Sequence, residues 1–227
     1  MKGPRRFRVK ICGMTRLADA LCAVEAGVDG LGFIFFPKSP RNIEPEAARS
    51  IIAQLPPFVD TVGVFVDEIP ARIQEIAAFC GLNTIQLHGV ETPADCRALG
   101  AALPCCRLLK AFRVGAHSTA SDIAPYEECV QGYLLDTYQK EAMGGTGLAF
   151  DWALIERLQL GRPLLLAGGL DCDNITEALR RVAPYGVDTN SGLEDAPGQK
   201  NHQRIKTFLA RVRRAEQSLL LSLSGQQ

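Results

Sequence analysis

The fold this sequence predicts is a single (β/α)8 TIM barrel of the α/β class, and three observations predict it. Short runs of Val, Ile, Leu and Phe alternate with segments of helical period along the chain. The short runs are apolar throughout rather than on every second residue, which marks parallel strands covered on both faces. Eight such units fit within 227 residues, the size of one closed barrel of this kind.

The elements follow in order. Candidate strands are Phe7–Ile11, Gly30–Phe35, Thr61–Val66, Thr84–Leu87, Arg107–Ala111, Gly132–Leu135, Pro163–Ala167 and Gly186–Asp188. Helical periods fill the gaps: Leu17–Ala26, Pro45–Gln54, Pro70–Phe79, Pro93–Ala101, Asp151–Leu158 and Asn174–Val182, with His202–Ser218 after the last strand. Pro45, Pro70 and Pro93 mark helix starts, because a first-turn residue has no helical partner for its N–H to lose. The segment Ser118–Cys129 is the weakest and is expected to hold only a short helix. An open doubly wound sheet would call for G-x-G-x-x-G after the first strand, and Gly13 alone follows it. No linker or low-complexity stretch interrupts the pattern. One domain over residues 1–227 is therefore expected, with 219–227 as a frayed C-terminal tail, the leucine-rich Leu219–Leu223 reading equally as the last turn of a helix.

Charge and cysteine content narrow the class. The 25 basic and 25 acidic residues cancel, so nothing in the net charge calls for nucleic acid or an anionic membrane as partner. A small anionic ligand stays open, since a few backbone N–H groups hold a phosphate without net charge. The eight cysteines lie mostly inside apolar periodic segments and show no paired zinc spacing. Reduced thiols in a cytoplasmic enzyme are the simplest reading. The basic start, Met1 to Arg6, leads into a strand rather than a signal core, and no run reaches transmembrane length. A monomer is expected, with a homodimer as the alternative.

In a barrel, chemistry collects where the strands end and the βα loops begin. Those positions here are unusually polar and glycine-rich. Gly168-Gly169 closes the seventh strand and Asn190-Ser191-Gly192 the eighth, the two loops that commonly hold phosphate in this architecture. Either glycine pair alone could simply turn the chain; both together point to phosphate. Cys12 follows the first strand, close to a helix start that would lower its pKa and favour the thiolate as base or nucleophile. Asp136 ends the sixth strand, where an apolar barrel mouth would raise its pKa and suit it to proton donation. Arg41, in the proline-bounded loop Pro37-Lys38-Ser39-Pro40-Arg41, suits capture of a carboxylate, although a solvated surface arginine reads the same way. His88 can orient a group in the site or serve structure alone. The substrate-binding set is thus Arg41, His88, Gly168, Gly169, Asp188, Ser191 and Gly192, with Cys12 and Asp136 as the catalytic pair. Gly144-Gly145-Thr146-Gly147 reads as a glycine-hinged lid beside Asp136.

The motifs in sequence are Lys10-Ile11-Cys12-Gly13-Met14-Thr15, Gly32 to Arg41, Gly63-Val64-Phe65-Val66, Gln86-Leu87-His88-Gly89, Leu134-Leu135-Asp136-Thr137, Gly144 to Gly147 with Phe150-Asp151-Trp152, Ala167-Gly168-Gly169-Leu170, and Ser191-Gly192-Leu193-Glu194. In this order and spacing, from Val9 to Phe208, the chain resembles the phosphoribosylanthranilate isomerase family of tryptophan biosynthesis. The resemblance implies a TIM barrel, no cofactor, and an Amadori rearrangement of a phosphoribosylated anthranilate. It implies Cys12 as general base, Asp136 as general acid and Arg41 as the holder of the anthranilate carboxylate. Two positions depart from the family pattern: Thr189-Asn190 stands where a small pair is usual, and Leu148 where the lid often carries a basic or polar residue. Another phosphate-binding barrel, an epimerase or lyase, would want a second carboxylate or a metal cluster at the strand ends. A non-catalytic phosphate binder would have no need of Cys12 and Asp136. An isomerase also serving a histidine-pathway substrate would favour Asp where Cys12 stands.

Overall fold

Eight parallel strands close on themselves in chain order: β1 (Arg8–Ile11), β2 (Gly30–Ile34), β3 (Asp60–Phe65), β4 (Thr84–Leu87), β5 (Arg107–Arg113), β6 (Gly132–Asp136), β7 (Leu164–Ala167) and β8 (Gly186–Thr189). The structure is a computed structural model that describes residues 6–136, 155 and 157–224. Closure is made by β8 against β1, with Lys10 opposite Asp188 and Ile11 opposite Thr189. The strands begin or end within two residues of the sequence expectation. All four residues of β4 and of β8 are buried, as strands wrapped by helices on one face and filling a barrel on the other must be.

The described helices are α1 (Leu17–Glu25), α2 (Pro45–Ile52), α3 (Pro70–Cys80), α4 (Pro93–Ala102), α5 (Ala120–Ile123), α6 (Ile175–Val182) and α7 (His202–Ser224). Pro45, Pro70 and Pro93 sit in the first turns of α2, α3 and α4. At α4, Thr92 adds a capping box: its backbone N–H donates to Asp95, and its hydroxyl oxygen accepts from the Asp95 N–H. The weak segment 118–129 resolves into α5 and a 3-10 turn at Ala124–Tyr126. Helix α7 packs Ile205, Phe208, Leu209, Val212 and Ala215 inward, a helical stripe that is almost wholly buried.

Two features differ from expectation. Helix α7 continues six residues past the helical period read at His202–Ser218, to Ser224, and Leu219 packs against the core. A short antiparallel hairpin, β9 (Glu194–Ala196) and β10 (Gln199–Lys200), follows β8. Segments of three and two residues carry no periodicity to detect. The lid 144–147, Thr137, Leu148 and most of the helix expected at Asp151–Leu158 lie outside the described residues.

Strand geometry sends alternate side chains inward. The large core lies outside the barrel wall, under the helices, and includes Val9, Ile11, Leu31, Phe33 and Leu166. A small second cluster of Ala111, Leu134 and Ala167, with Leu165 against it, lies inside the barrel. It forms an apolar floor on which the site stands.

Candidate active site

A cavity of about 240 Å³ opens at the C-terminal ends of the strands. Cys12, His88, Asp136, Gly168, Gly169, Asp188, Ser191 and Gly192 all line it, so eight of the nine expected residues meet in one place. Ile34, Val64, Leu134 and Ala167 supply its apolar surface. A larger cleft, about 790 Å³, lies at the other end of the barrel among Arg6, Arg162 and Tyr185 and holds none of the strand-end groups. Among the described residues, no group of three or more His, Cys, Asp or Glu is placed to hold a metal ion.

On the β7 and β8 side, the backbone turns tightly beside the cavity. Gly168 and Gly169 have φ of 92° and 65°, the left-handed region that a side chain would strain. Ser191–Leu193 forms a single 3-10 turn directly after β8. Asn190 turns its side-chain oxygen away to accept from Lys200 Nζ at 2.8 Å, and its carbonyl accepts from the same ammonium at 3.1 Å.

Cys12 is only 5% exposed, yet its thiol faces the cavity. The expected help from a helix start does not arrive, because α1 begins only at Leu17. Burial instead pushes the thiol above its ordinary 9.0, against the pull of Lys10 and then Lys200, with the Asp188 charge adding to the rise. Beneath it, Lys10 Nζ donates to Asp188 Oδ1 at 2.8 Å, both groups being buried. Burial pulls Lys10 down, but Asp188 first and then Cys12 hold it above its ordinary 10.5. Burial pushes the Asp188 carboxyl up, and Lys10 is the strongest group opposing that.

Across the barrel, Asp136 Oδ2 lies 3.8 Å from His88 Nε2, and both side chains are about one-quarter exposed. The Gln86 amide Nε2 is 3.2 Å from His88 Nδ1. Gln86 Oε1 is buried with no protein partner among the described residues.

Arg41 stands beside the cavity rather than in its lining. Its Cδ and the Asn190 side chain close together over Gly13. Its Nε and Nη2 grip Glu194 from two sides, at 2.9 and 2.6 Å. Glu194 also accepts from Lys200 Nζ at 2.8 Å. The hairpin β9–β10 thus delivers a buried carboxylate that holds the guanidinium at the rim and a buried ammonium that anchors that carboxylate.

The chain has counterparts among known proteins. The family model for N-(5'-phosphoribosyl)anthranilate isomerase matches residues 9–211. The chain belongs to this family. The N-(5'-phosphoribosyl)anthranilate isomerase of Geobacter sulfurreducens is 48% identical over 206 residues, 91% of this chain and 98% of that protein. A phosphoribosylanthranilate isomerase crystallised with reduced 1-(o-carboxyphenylamino)-1-deoxyribulose 5-phosphate is 42% identical, with a TM-score of 0.77 over 91% of this chain and 98% of its own. Monomers generated from the dimeric phosphoribosylanthranilate isomerase of Thermotoga maritima give 40% identity and a TM-score of 0.78, again over 91% and 98%.

Within this isomerase family fold, four polar residues of the site have no role assigned from sequence: Lys10, Gln86 and Glu194, which stand in the motifs, and Lys200. Lys10 had a usable signal, since it stands two residues before Cys12 on a strand and so shares its face. Gln86 is likewise two residues before His88. Glu194 closes the motif Ser191-Gly192-Leu193-Glu194, but nothing in the sequence pairs it with Lys200 or Arg41, because the hairpin brings them together.

Proposed function

We infer that the chain is an isomerase of tryptophan biosynthesis. It converts N-(5-phosphoribosyl)anthranilate to 1-(2-carboxyphenylamino)-1-deoxy-D-ribulose 5-phosphate by an Amadori rearrangement. The observation that carries this reading is one cavity with a thiol on β1, a carboxyl on β6 and glycine-rich loops after β7 and β8.

The sugar phosphate lies against Gly168, Gly169, Ser191 and Gly192, which fixes where the ribose begins. Asp136, protonated, donates to the ring oxygen. The C1–O bond breaks, and the anthranilate nitrogen and C1 form a protonated Schiff base, which acidifies the hydrogen on C2. Cys12, as thiolate, takes that proton, and the enolamine tautomerises to the ketone. An acid and a base of this kind contribute roughly 10²–10⁴ each. His88 orients Asp136. Asp188 keeps one oxygen on Lys10 and offers the other to a sugar hydroxyl. Arg41 takes the anthranilate carboxylate through Nη1, the guanidinium nitrogen that Glu194 does not use.

The eight cysteines are free thiols, and no helix of the described residues is long and apolar enough to cross a membrane. Both fit a cytoplasmic enzyme. The expected assembly is a monomer, with a homodimer as the alternative that sedimentation would reveal. Turnover is tested directly by following the fluorescence of phosphoribosylanthranilate, which falls as substrate is consumed. No decay with pure protein would overturn the assignment.

A further inference from the structure

We propose that Lys10 is a positioning residue of this site: its ammonium, held inside the barrel between Asp188 and Cys12, brings the Cys12 thiolate within reach. The proposal deepens the reading of Cys12 as general base and rests on it. Lys10 and Cys12 are two residues apart, so both point inward. Lys10 pairs across the barrel closure with Asp188 at 2.8 Å. Gly32, on the neighbouring strand, leaves the space the two side chains share: a Cβ there would lie 2.9 Å from Cys12 Sγ and 3.1 Å from Lys10 Cε. A buried ion pair is no gain in stability over well-packed apolar residues, so its position directly below the reactive thiol calls for another reason.

The other charged groups around Cys12 are poorly placed for this work. Lys200, from β10, is held by Glu194 and Asn190, and burial pulls it below its ordinary 10.5 against Glu194's attraction. Arg41 is engaged by Glu194. His88 and Asp136 face one another from β4 and β6, on the far side of the barrel. Asp188, from β8, disfavours a second negative charge. After burial itself, Lys10 acts most strongly on the thiol, and it acts downward.

The test replaces Lys10 with Met, which keeps the stem and removes the charge, and with Arg, which restores a cation. The rate of Cys12 alkylation by iodoacetamide is followed against pH by mass spectrometry of its peptide, with the buried Cys96 as internal control. An opposite charge at this range shifts a pKa by about 1–3 units. The Cys12 midpoint should rise by that much in Lys10→Met and stay near wild type in Lys10→Arg, while Cys96 does not move. At pH 7, kcat/KM of Lys10→Met should fall roughly 10- to 1,000-fold, following the same shift. That deficit should narrow as the pH is raised past the wild-type thiol's own midpoint. If Lys10→Met does not fold, Lys10→Met/Asp188→Asn is compared with Asp188→Asn alone, so that only the lysine's charge differs, and the same upward shift of the Cys12 midpoint is read by the same alkylation assay.

A Cys12 midpoint unchanged in the folded variant overturns the proposal, even if turnover is lost. A shifted midpoint together with a fully active Cys12→Ala enzyme would instead uphold the effect of Lys10 on the thiol and overturn the base assignment.

Discussion

Replacing Glu194 with Ala should be among the most damaging single changes in the described part of the chain. The Glu194 side chain is 3% exposed, and it accepts from Arg41 at 2.6 and 2.9 Å, from Lys200 at 2.8 Å and from the Gly198 N–H at 3.2 Å. Its loss strands the Lys200 ammonium, whose side chain is fully buried, with Asn190 as its remaining hydrogen-bond partner among the described residues. Breaking a buried pair from one side costs about 3–5 kcal/mol, a large share of the roughly 5–15 kcal/mol that holds a domain together. With a urea slope of roughly 2–3 kcal/mol per molar, the unfolding midpoint should drop by about 1–2 M. Circular dichroism in urea at pH 7 measures it. Acid gives a second check with a definite sign. Burial pushes the Glu194 carboxyl up, but the hydrogen bonds and charges of Arg41 and Lys200 hold it below its ordinary 4.5. A carboxyl depressed by folding stabilises above its unfolded value and loses that contribution as the pH falls. The gap between wild type and Glu194→Ala should therefore narrow below about pH 4.5. A loss under about 1 kcal/mol at pH 7, or a gap that widens in acid, would refute the buried-network account.

Other substitutions probe separate parts of the molecule. Arg41→Ala should raise KM with little change in kcat, because a carboxylate clamp holds ground and transition state alike; steady-state kinetics with an unchanged KM would remove that role. Thr92→Ala breaks the capping box of α4 and should cost about 0.5–2 kcal/mol in thermal or urea unfolding without altering kcat. Phe208→Ala empties a fully buried position where α7 meets the barrel and should cost about 3–5 kcal/mol by the same measurement.

Much of the fold and of the site is legible in the sequence, for identifiable reasons. Apolar runs such as Thr84–Leu87 read as strands because both faces are buried, and Pro45, Pro70 and Pro93 announce helices whose first turn has no N–H to lose. Strand ends are local in sequence yet converge in space, so Cys12, His88, Asp136 and the glycines after β7 and β8 could be gathered by position alone. What stayed hidden depends on contacts between distant segments. The hairpin carrying Glu194 and Lys200 is too short to leave a pattern, and so the partner of Arg41 could not be foreseen. The surroundings of Cys12 were misread for a related reason. Proximity in sequence suggested a helix start, whereas burial and an inward-facing lysine govern the thiol.

The central claim is that Cys12 and Asp136 divide the proton transfers of one isomerisation. The most direct measurement is kcat for Cys12→Ala and Asp136→Asn at saturating phosphoribosylanthranilate, followed by loss of substrate fluorescence. The account predicts a fall of about 10²–10⁴ in each variant, with KM staying within several-fold of wild type. Near-wild-type turnover in either variant would contradict it.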